Sequence, residues 1–297
     1  MRSRLLKLWF NIYCKLRAPM FVRKVRKAYG DWDKYTLQSL PAMLNCDLQT
    51  AKSIYLKGLY AHAKFHHAYA FLFGKHGYIL MEEVLKSVQI KNPQHIVEVI
   101  ETGRPVILLS VHMGLFHMGF LKLASTFGTD RTVNLVKISM TSQQEVSMSE
   151  KAMETCPNVE FIRFDQRTGE RIYSQLKSNN IVVMMMDRET RVEERTTVTL
   201  LGRQCHIQNG PAKLAVATKA IIVPVINYID TQGCNNIEIA KPIDGRTNAG
   251  ETATAAVDRI TTEFACNMDK WLTTYPDQMH YWPYIVSTVN MDKKTKG

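Results

Sequence analysis

Several signatures that assign a function at once are missing from this chain of 297 residues. It has no P-loop, no dinucleotide-binding glycine pattern and no nucleophile elbow of the serine hydrolases. No segment reaches the ~18 apolar residues of a membrane-spanning helix, because Lys7, Asn11 and Lys15 interrupt the longest apolar stretch near the N-terminus. The common nucleotide-binding enzymes and the hydrolases with an elbow serine are therefore poor matches.

Cysteine pairs with the spacing of a redox or zinc motif are also missing. The six cysteines are isolated in the sequence: Cys14, Cys46, Cys156, Cys205, Cys234 and Cys266. Free cysteine is usually a small buried residue. We therefore expect reduced thiols in a cytosolic setting, mostly in the core.

Acidic residues are absent from the first 30 positions, although the whole chain carries a net charge of +11. Nine basic residues lie there: Arg2, Arg4, Lys7, Lys15, Arg17, Arg23, Lys24, Arg26 and Lys27. They border one apolar helical face formed by Leu5, Leu8, Trp9, Ile12, Tyr13 and Leu16. The pattern predicts an amphipathic helix at residues 1–30 that lies in an anionic membrane surface. A terminal helix that docks on the core is the alternative.

Residues 31–100 have the spacing of helices, with Asp47 as a cap. His62 and His66 are four residues apart on one of them, but no third metal ligand is evident, which favours a partly exposed helix face. From residue 104 short apolar runs alternate with helical stretches. The predicted strands are 105–111, 132–137, 159–164, 181–186, 196–201, 221–228 and 236–240. The predicted helices are 115–127, 143–155, 170–179, 211–219 and 250–274.

This alternation predicts an α/β fold with a mixed central sheet flanked by helices. The sequence contains no internal repeat, no low-complexity tract and no clear linker. We therefore expect a single domain at residues 31–290 behind the N-terminal helix.

The segment Ser110–Gly119 contains the best candidate for chemistry. His112 follows a buried strand, and reactive groups collect at the carboxyl ends of strands in open α/β sheets. A histidine there can act as a general base near neutral pH, and Gly114 allows close approach of a backbone or a substrate. A purely structural histidine at a strand end is the alternative.

The run Gly103–His117 resembles the catalytic motif of the lipid A late acyltransferases, in which a histidine is followed by four residues and an acid. Three later segments resemble family segments in the same order: Met185–Glu189, Thr199–Pro224 and Tyr275–Trp282. The resemblance covers about residues 95–285. It implies direct acyl transfer with His112 as general base, without a covalent intermediate and without a metal or organic cofactor.

The chain departs from the family pattern at three places. His117 stands where the family has its acid, and a neutral imidazole adds no negative charge beside His112. Pro283 follows Trp282 where the family has histidine and two arginines, and Lys137 lies near the place of a missing tyrosine-arginine-proline. Asp187 could supply the absent carboxylate in space, with a helix cap or a surface charge as the alternative.

The resemblance implies catalytic roles for His112, His117 and Asp187, and substrate-binding roles for Gly114, Lys137, Arg188 and Glu189. The implied partners are an acidic acyl or aminoacyl carrier protein, a lipid A-type glycolipid and a membrane surface, but no nucleic acid. The implied location is the cytoplasmic face of the bacterial inner membrane, as a peripheral or monotopic protein.

The altered motif favours an unusual member of the family, a lipid A glycyltransferase that moves an aminoacyl group to a hydroxyl. Ordinary fatty acyl transfer is the first alternative. A non-catalytic lipid-binding relative is the second, because the motif acid is missing. Nucleic-acid binding has only the positive charge in its favour, and that charge is interleaved with apolar residues at one end of the chain.

Overall fold

A central sheet with helices on both faces forms the body of the protein. The structure, a computed structural model, describes residues 2–73, 80–128, 130–137, 150–187 and 195–289, with side chains from residue 12 onward. The helices are α1 (Arg2–Tyr29), α2 (Asp31–Leu44), α3 (Leu48–Leu72), α4 (Met81–Ser87), α5 (Gln94–Glu101), α6 (Phe116–Phe127), α7 (residues 150–155), α8 (Thr168–Lys177), α9 (Gly210–Thr218), α10 (Ala253–Thr274) and α11 (Trp282–Val289).

The strands are β1 (Gln89–Lys91), β2 (Val106–Ser110), β3 (Val133–Lys137), β4 (Val159–Arg163), β5 (Ile181–Met185), β6 (Arg195–Leu200), β7 (Arg203–Gln208), β8 (Ile221–Ile229), β9 (Asn235–Ile239) and β10 (Ile243–Asp244). Within the described ranges, eight strands form one sheet in the order β1-β9-β8-β2-β5-β3-β4, with β10 beside β8. The run β8-β2-β5-β3-β4 is parallel, whereas β9 and β10 run antiparallel to β8. The fold class predicted from the sequence is confirmed.

Strand β2 is buried along its whole length, as expected for a parallel strand covered on both faces. Its side chains alternate between two core clusters. Ile107 and Leu109 pack on the face that includes residues of α3, α9 and α10. Val106 and Leu108 pack on the face that includes residues of α4, α5 and α6. The two layers hold the carboxyl end of β2, and therefore His112, in a fixed place.

Some predicted elements need correction. Residues 31–100 are not wholly helical, because Gln89–Lys91 forms a strand parallel to β9. The predicted strand at 196–201 does not join the central sheet but pairs with β7 in a separate hairpin. The prediction did not include β7 or α11. Asp47 caps α3 as expected, since its side chain accepts from the backbone N–H groups of Gln49 and Thr50.

The cysteines are unpaired, but the prediction that most are buried is wrong. Cys156 and Cys205 are buried, Cys14, Cys46 and Cys234 are half-buried, and Cys266 is exposed. Burial raises the pKa of the Cys205 thiol to about 11. A thiol of that pKa stays protonated near neutral pH, so Cys205 suits a packing role.

Helix α1 docks on the body through α3. Ala18 and Val22 are buried, and Arg26 forms an ion pair of 2.7 Å with Asp33, which also accepts from the Tyr55 hydroxyl. The ring of Tyr13 lies against His67 of α3, so Tyr13 does not share the outward face predicted for it. Leu5, Leu8 and Trp9 lie outside the described side chains.

The outward side of α1 carries a line of exposed apolar residues. Ile12, Leu16 and Met20 are 50%, 71% and 58% exposed. Their spacing of four residues places them on one face. Among the described residues, no helix is both long and apolar enough to cross a membrane.

Candidate active site

Three of the residues singled out in the sequence come together because parallel strands end at the same edge of the sheet. His112 follows β2, Lys137 ends β3, and Asp187 follows β5. Strands β2 and β5 run in step, with Ser110 opposite Met185, and the Met186 N–H donates to the Ser110 carbonyl at 2.9 Å. The two residues just beyond this contact are therefore brought side by side.

Asp187 holds His112 with both carboxylate oxygens. Oδ1 lies 2.7 Å from His112 Nδ1, and Oδ2 accepts from the His112 backbone N–H at 3.1 Å. The Asp187 side chain is 0% exposed and that of His112 is 13% exposed. A carboxylate on Nδ1 favours the proton on that nitrogen, which leaves Nε2 to accept a proton. The pair has the chemistry of an oriented general base.

The turn after His112 is fixed by the C-terminal segment and by β8. The His280 N–H donates to the His112 carbonyl at 3.1 Å, and Met113 forms an isolated bridge with Met279. Gly114 has φ +55°, and a Cβ there would lie 2.8 Å from the Asn227 carbonyl oxygen. Gly114 thus has a packing reason to be glycine, and its role in substrate binding stays a prediction.

His117 lies in an aromatic stack rather than beside Asp187. Its ring is stacked on Phe65 at 5.1 Å and on Tyr69 at 4.4 Å between centroids. Burial lowers the pKa of His117 well below its ordinary value, and the charges of Lys137 and His112 lower it further. The neutral ring cannot replace the negative charge of the family acid. The Nδ1 contact that orients His112 comes from Asp187, and a contact from His117 to the acceptor stays a prediction.

A cavity of about 500 Å³ opens beside this pair. Most of its lining is apolar, as at Phe116, Phe120, Leu135, Ile172, Val183 and Leu214. His112, His117, Lys137 and Tyr281 are among the polar residues that line it. The Nζ of Lys137 lies 5.9 Å from the ring centre of Tyr69 and 5.8 Å from that of Phe161. The volume and the apolar lining are those of a small-molecule pocket with few polar groups.

Three residues near the site were not singled out as site residues in the sequence. Tyr281 meets His112 edge-on at 4.9 Å, His62 meets Tyr281, and His280 is buried against His62. Tyr281 and His280 belong to the segment that resembles the family C-terminus, which was the available signal. Arg188 and Glu189 lie outside the described residues. Across the ranges that the structure covers, no group of three metal-ligating side chains is assembled.

Comparison with known proteins adds two findings. Residues 68–281 match the family model described as bacterial lipid A biosynthesis acyltransferase. The chain is also 24% identical over 191 residues to the phosphatidylinositol mannoside acyltransferase of Mycolicibacterium smegmatis. That match covers 63% of this chain and 58% of the relative's length. The matched family segment includes His112, Asp187 and Tyr281.

Proposed function

Since this chain belongs to the bacterial lipid A biosynthesis acyltransferase family, we propose that it moves a fatty acyl group from a thioester to a hydroxyl of a glycolipid. The acyl transfer itself, the donor and the acceptor are all parts of this proposal. The observation that carries it is the His112–Asp187 pair at the edge of a largely apolar cavity.

The proposed reaction uses His112 as the base. Nε2 takes the proton of the acceptor hydroxyl as its oxygen attacks the thioester carbonyl carbon, and a carbon–oxygen bond forms. The carbon–sulfur bond then breaks, and the leaving thiolate receives the proton from the imidazolium. Asp187 holds the ring and stabilises its positive charge between the two steps, so that no covalent enzyme intermediate is needed.

The cavity supports a fatty acyl donor over a glycyl donor. A glycyl group would fill a small part of about 500 Å³ and would bring an ammonium that needs an acidic partner. Asp165 lines the cavity, but it is half-exposed and pairs with Arg171 at 2.5 Å. The sequence favoured glycyl transfer because the acid of the family motif is missing. Asp187 contacts His112 and supplies a carboxylate there, so the missing acid is no longer a reason to expect an unusual donor. Glycyl transfer remains the second candidate.

The acceptor and the partners are proposed on chemical grounds. The family description names lipid A, and the name of the mycobacterial relative refers to a mannosylated lipid. A glycolipid hydroxyl as acceptor agrees with both. A net charge of +11 favours an acidic acyl carrier protein as donor and an anionic membrane as the place of action. We propose peripheral attachment at the cytoplasmic face of the inner membrane, through the exposed side of α1.

The test is transfer by the purified protein from acyl and glycyl carrier thioesters to lipid A precursors, with mass spectrometry of the lipid. We expect a mass gain of one fatty acyl chain. His112→Ala should lower the rate at least ~10²-fold, the lower range for loss of a general base. Asp187→Asn should approach that loss, because an amide can donate to Nδ1 and favour the wrong tautomer.

A matched control is His95→Gln in the first turn of α5, where His95 Nδ1 contacts the Ile239 carbonyl and lines neither the cavity nor the surroundings of Asp187. It should transfer at the wild-type rate. A gain of glycine instead of a fatty chain would replace the proposed donor. Full activity in folded His112→Ala would remove the proposed mechanism, and absence of transfer with every donor would favour the lipid-binding alternative.

A further inference from the structure

We propose that Tyr281, braced by His62 of α3, is a positioning residue for the base His112. This inference rests on the proposed function, because it concerns the same base. Asp187 holds only one side of the imidazole, at Nδ1. A base that delivers its other nitrogen to a hydroxyl also needs its ring held against tilting, since small misplacements of a reacting group are costly.

Two aromatic rings restrain His112 where Asp187 does not. Phe116 meets the imidazole at 5.0 Å with an angle of 89° between the planes. Tyr281 meets it at 4.9 Å with an angle of 79°. Both are edge-to-face contacts within the favourable range of distances. Tyr281 also lines the cavity, as His112 does, so its ring borders both the base and the space proposed for the acyl chain.

His62 contacts Tyr281 both at its hydroxyl and at its ring. The Tyr281 hydroxyl lies 3.4 Å from His62 Nε2, and the two rings are 4.9 Å apart. His62 is itself stacked on the buried ring of His280 at 5.2 Å, nearly parallel at 15°. The position of Tyr281 is therefore set by a second layer of rings and not by its own rotamer alone.

Gly58 allows helix α3 to come close enough for His62 to contact Tyr281. A Cβ at Gly58 would collide with the Met279 carbonyl oxygen, so only glycine lets α3 lie this close to residues 276–280. His62 and Phe65 follow at positions four and seven residues later, on the same helix face. Gly58, His62 and Phe65 all precede residue 68, where the family match begins. Helix α3 thus supplies residues from outside the family match to the surroundings of the base.

The experiment compares Tyr281→Phe, Tyr281→Leu, His62→Gln and the double variant Tyr281→Phe/His62→Gln in the acyl transfer assay. Tyr281→Leu should lower kcat by about tenfold, less than the ~10²-fold that a full misplacement can cost, with KM for the acyl donor unchanged. Tyr281→Phe keeps the ring and should recover part of kcat. The double variant should lose no more than the more impaired of its two single variants, because both changes act on the same contact between Tyr281 and His62.

Two further measurements keep a structural effect apart from positioning. The pH profile of kcat/KM should shift in Tyr281→Leu, because the surroundings of the His112 imidazole change. Modification of His112 by diethyl pyrocarbonate, read by peptide mass spectrometry, should be faster in this variant even without substrate. His66→Gln, on the same helix, is the control and should match the wild type in each measurement.

Unchanged kcat and unchanged modification of His112 in folded, active Tyr281→Leu would overturn the positioning role. A rise in KM with normal kcat would also overturn it, since Tyr281 would then be only part of the cavity lining. A wild-type protein that transfers no acyl group to a hydroxyl would instead refute the proposed function, while the modification rates would still report on the contact.

Discussion

At the scale of single residues, the carboxylate that orients His112 stands at a different sequence position from the acid of the resembled motif. The resembled motif puts the acid five residues after the histidine, where this chain has His117. Here Asp187, 75 residues after His112, lies 2.7 Å from its Nδ1. The orienting group of a base has to lie at the right place in space, whatever its distance in the sequence. Two neighbouring parallel strands can place it there as well as one helical turn can.

This arrangement predicts the behaviour of substitutions at His117. We expect His117→Gln to keep transfer within about threefold, far from the ~10²-fold loss of a general base, because a neutral polar group replaces another. His117→Ala should lose more, since it opens the stack between Phe65 and Tyr69. His117→Glu should not improve the rate, because Asp187 already lies on Nδ1 and a carboxylate in an aromatic stack is costly.

Initial rates of the three folded variants, with the same donor and acceptor, test this prediction. Burial holds the pKa of His117 well below its ordinary value, and the charges of Lys137 and His112 lower that pKa further. The imidazole of His117 is therefore neutral near neutral pH. The ratio of His117→Gln to wild type should therefore be flat from pH 6.5 to 8. A clear gain from His117→Glu would mean that the site still favours the family dyad.

At the scale of elements, the sequence was most informative where burial is continuous. The parallel strands β2 and β5 were predicted within about one residue, because fully apolar runs bounded by turns have few other solutions. Strand β1 was missed because three residues show almost no periodicity. Its pairing with β9 joins segments that lie far apart in the sequence.

The active site, too, could be predicted from the sequence only in part. His112 was recognised from its local motif, whereas the pairing with Asp187 depends on strand order, which puts β5 directly beside β2. The sequence suggested Asp187 as a replacement acid but did not contain the register that brings it there. The bracing by His62 was beyond prediction, because it depends on the approach of α3 at Gly58.

Helix α8 offers a test of what the cavity holds. Gly169 lines the cavity in the first turn of α8, and a Cβ there would meet no atom within 4 Å. Gly169→Leu should therefore fold, and leucine is the better helix former. We expect the larger side chain to shorten the accepted acyl chain. Exclusion of two methylenes costs about 1.6 kcal/mol, which is roughly fifteenfold in kcat/KM for the longest good donor.

Competition between carrier-bound donors of different chain length, analysed by mass spectrometry of the product, measures this shift. Thr262→Leu on the exposed side of α10 is the control, since it adds similar apolar bulk away from the cavity. An unchanged preference in Gly169→Leu would show that the donor chain does not extend towards α8. It would leave the roles of His112 and Asp187 untouched.

At the scale of the whole molecule, α1 combines the two interpretations that its sequence left open. Its inner side docks on α3 through Ala18 and Val22, with the Arg26–Asp33 ion pair near its end. Its outer side exposes Ile12, Leu16 and Met20. Exposed apolar residues in a line, followed by the exposed basic residues Arg23, Lys24 and Lys27, suit an anionic lipid surface.

We therefore predict that the outer side of α1 holds the protein at the membrane. Deletion of residues 1–28 would be a poor test, because it also uncovers α3 and removes Arg26, the ion-pair partner of Asp33. The triple variant Ile12→Ser, Leu16→Ser, Met20→Ser leaves the docked side intact. At about 1 kcal/mol for each partly inserted side chain, it should weaken binding to anionic vesicles roughly 10²-fold.

Flotation with vesicles of phosphatidylglycerol and phosphatidylethanolamine measures this binding. High salt should weaken wild-type binding only in part, because the ~8 Å Debye length at physiological salt screens the basic residues but not apolar burial. Leu48→Ser is the control, since Leu48 on α3 is 61% exposed and lies away from the α1 line. If the triple variant bound vesicles as tightly as Leu48→Ser, attachment would have to come from another surface, and the outer side of α1 would have no part in it.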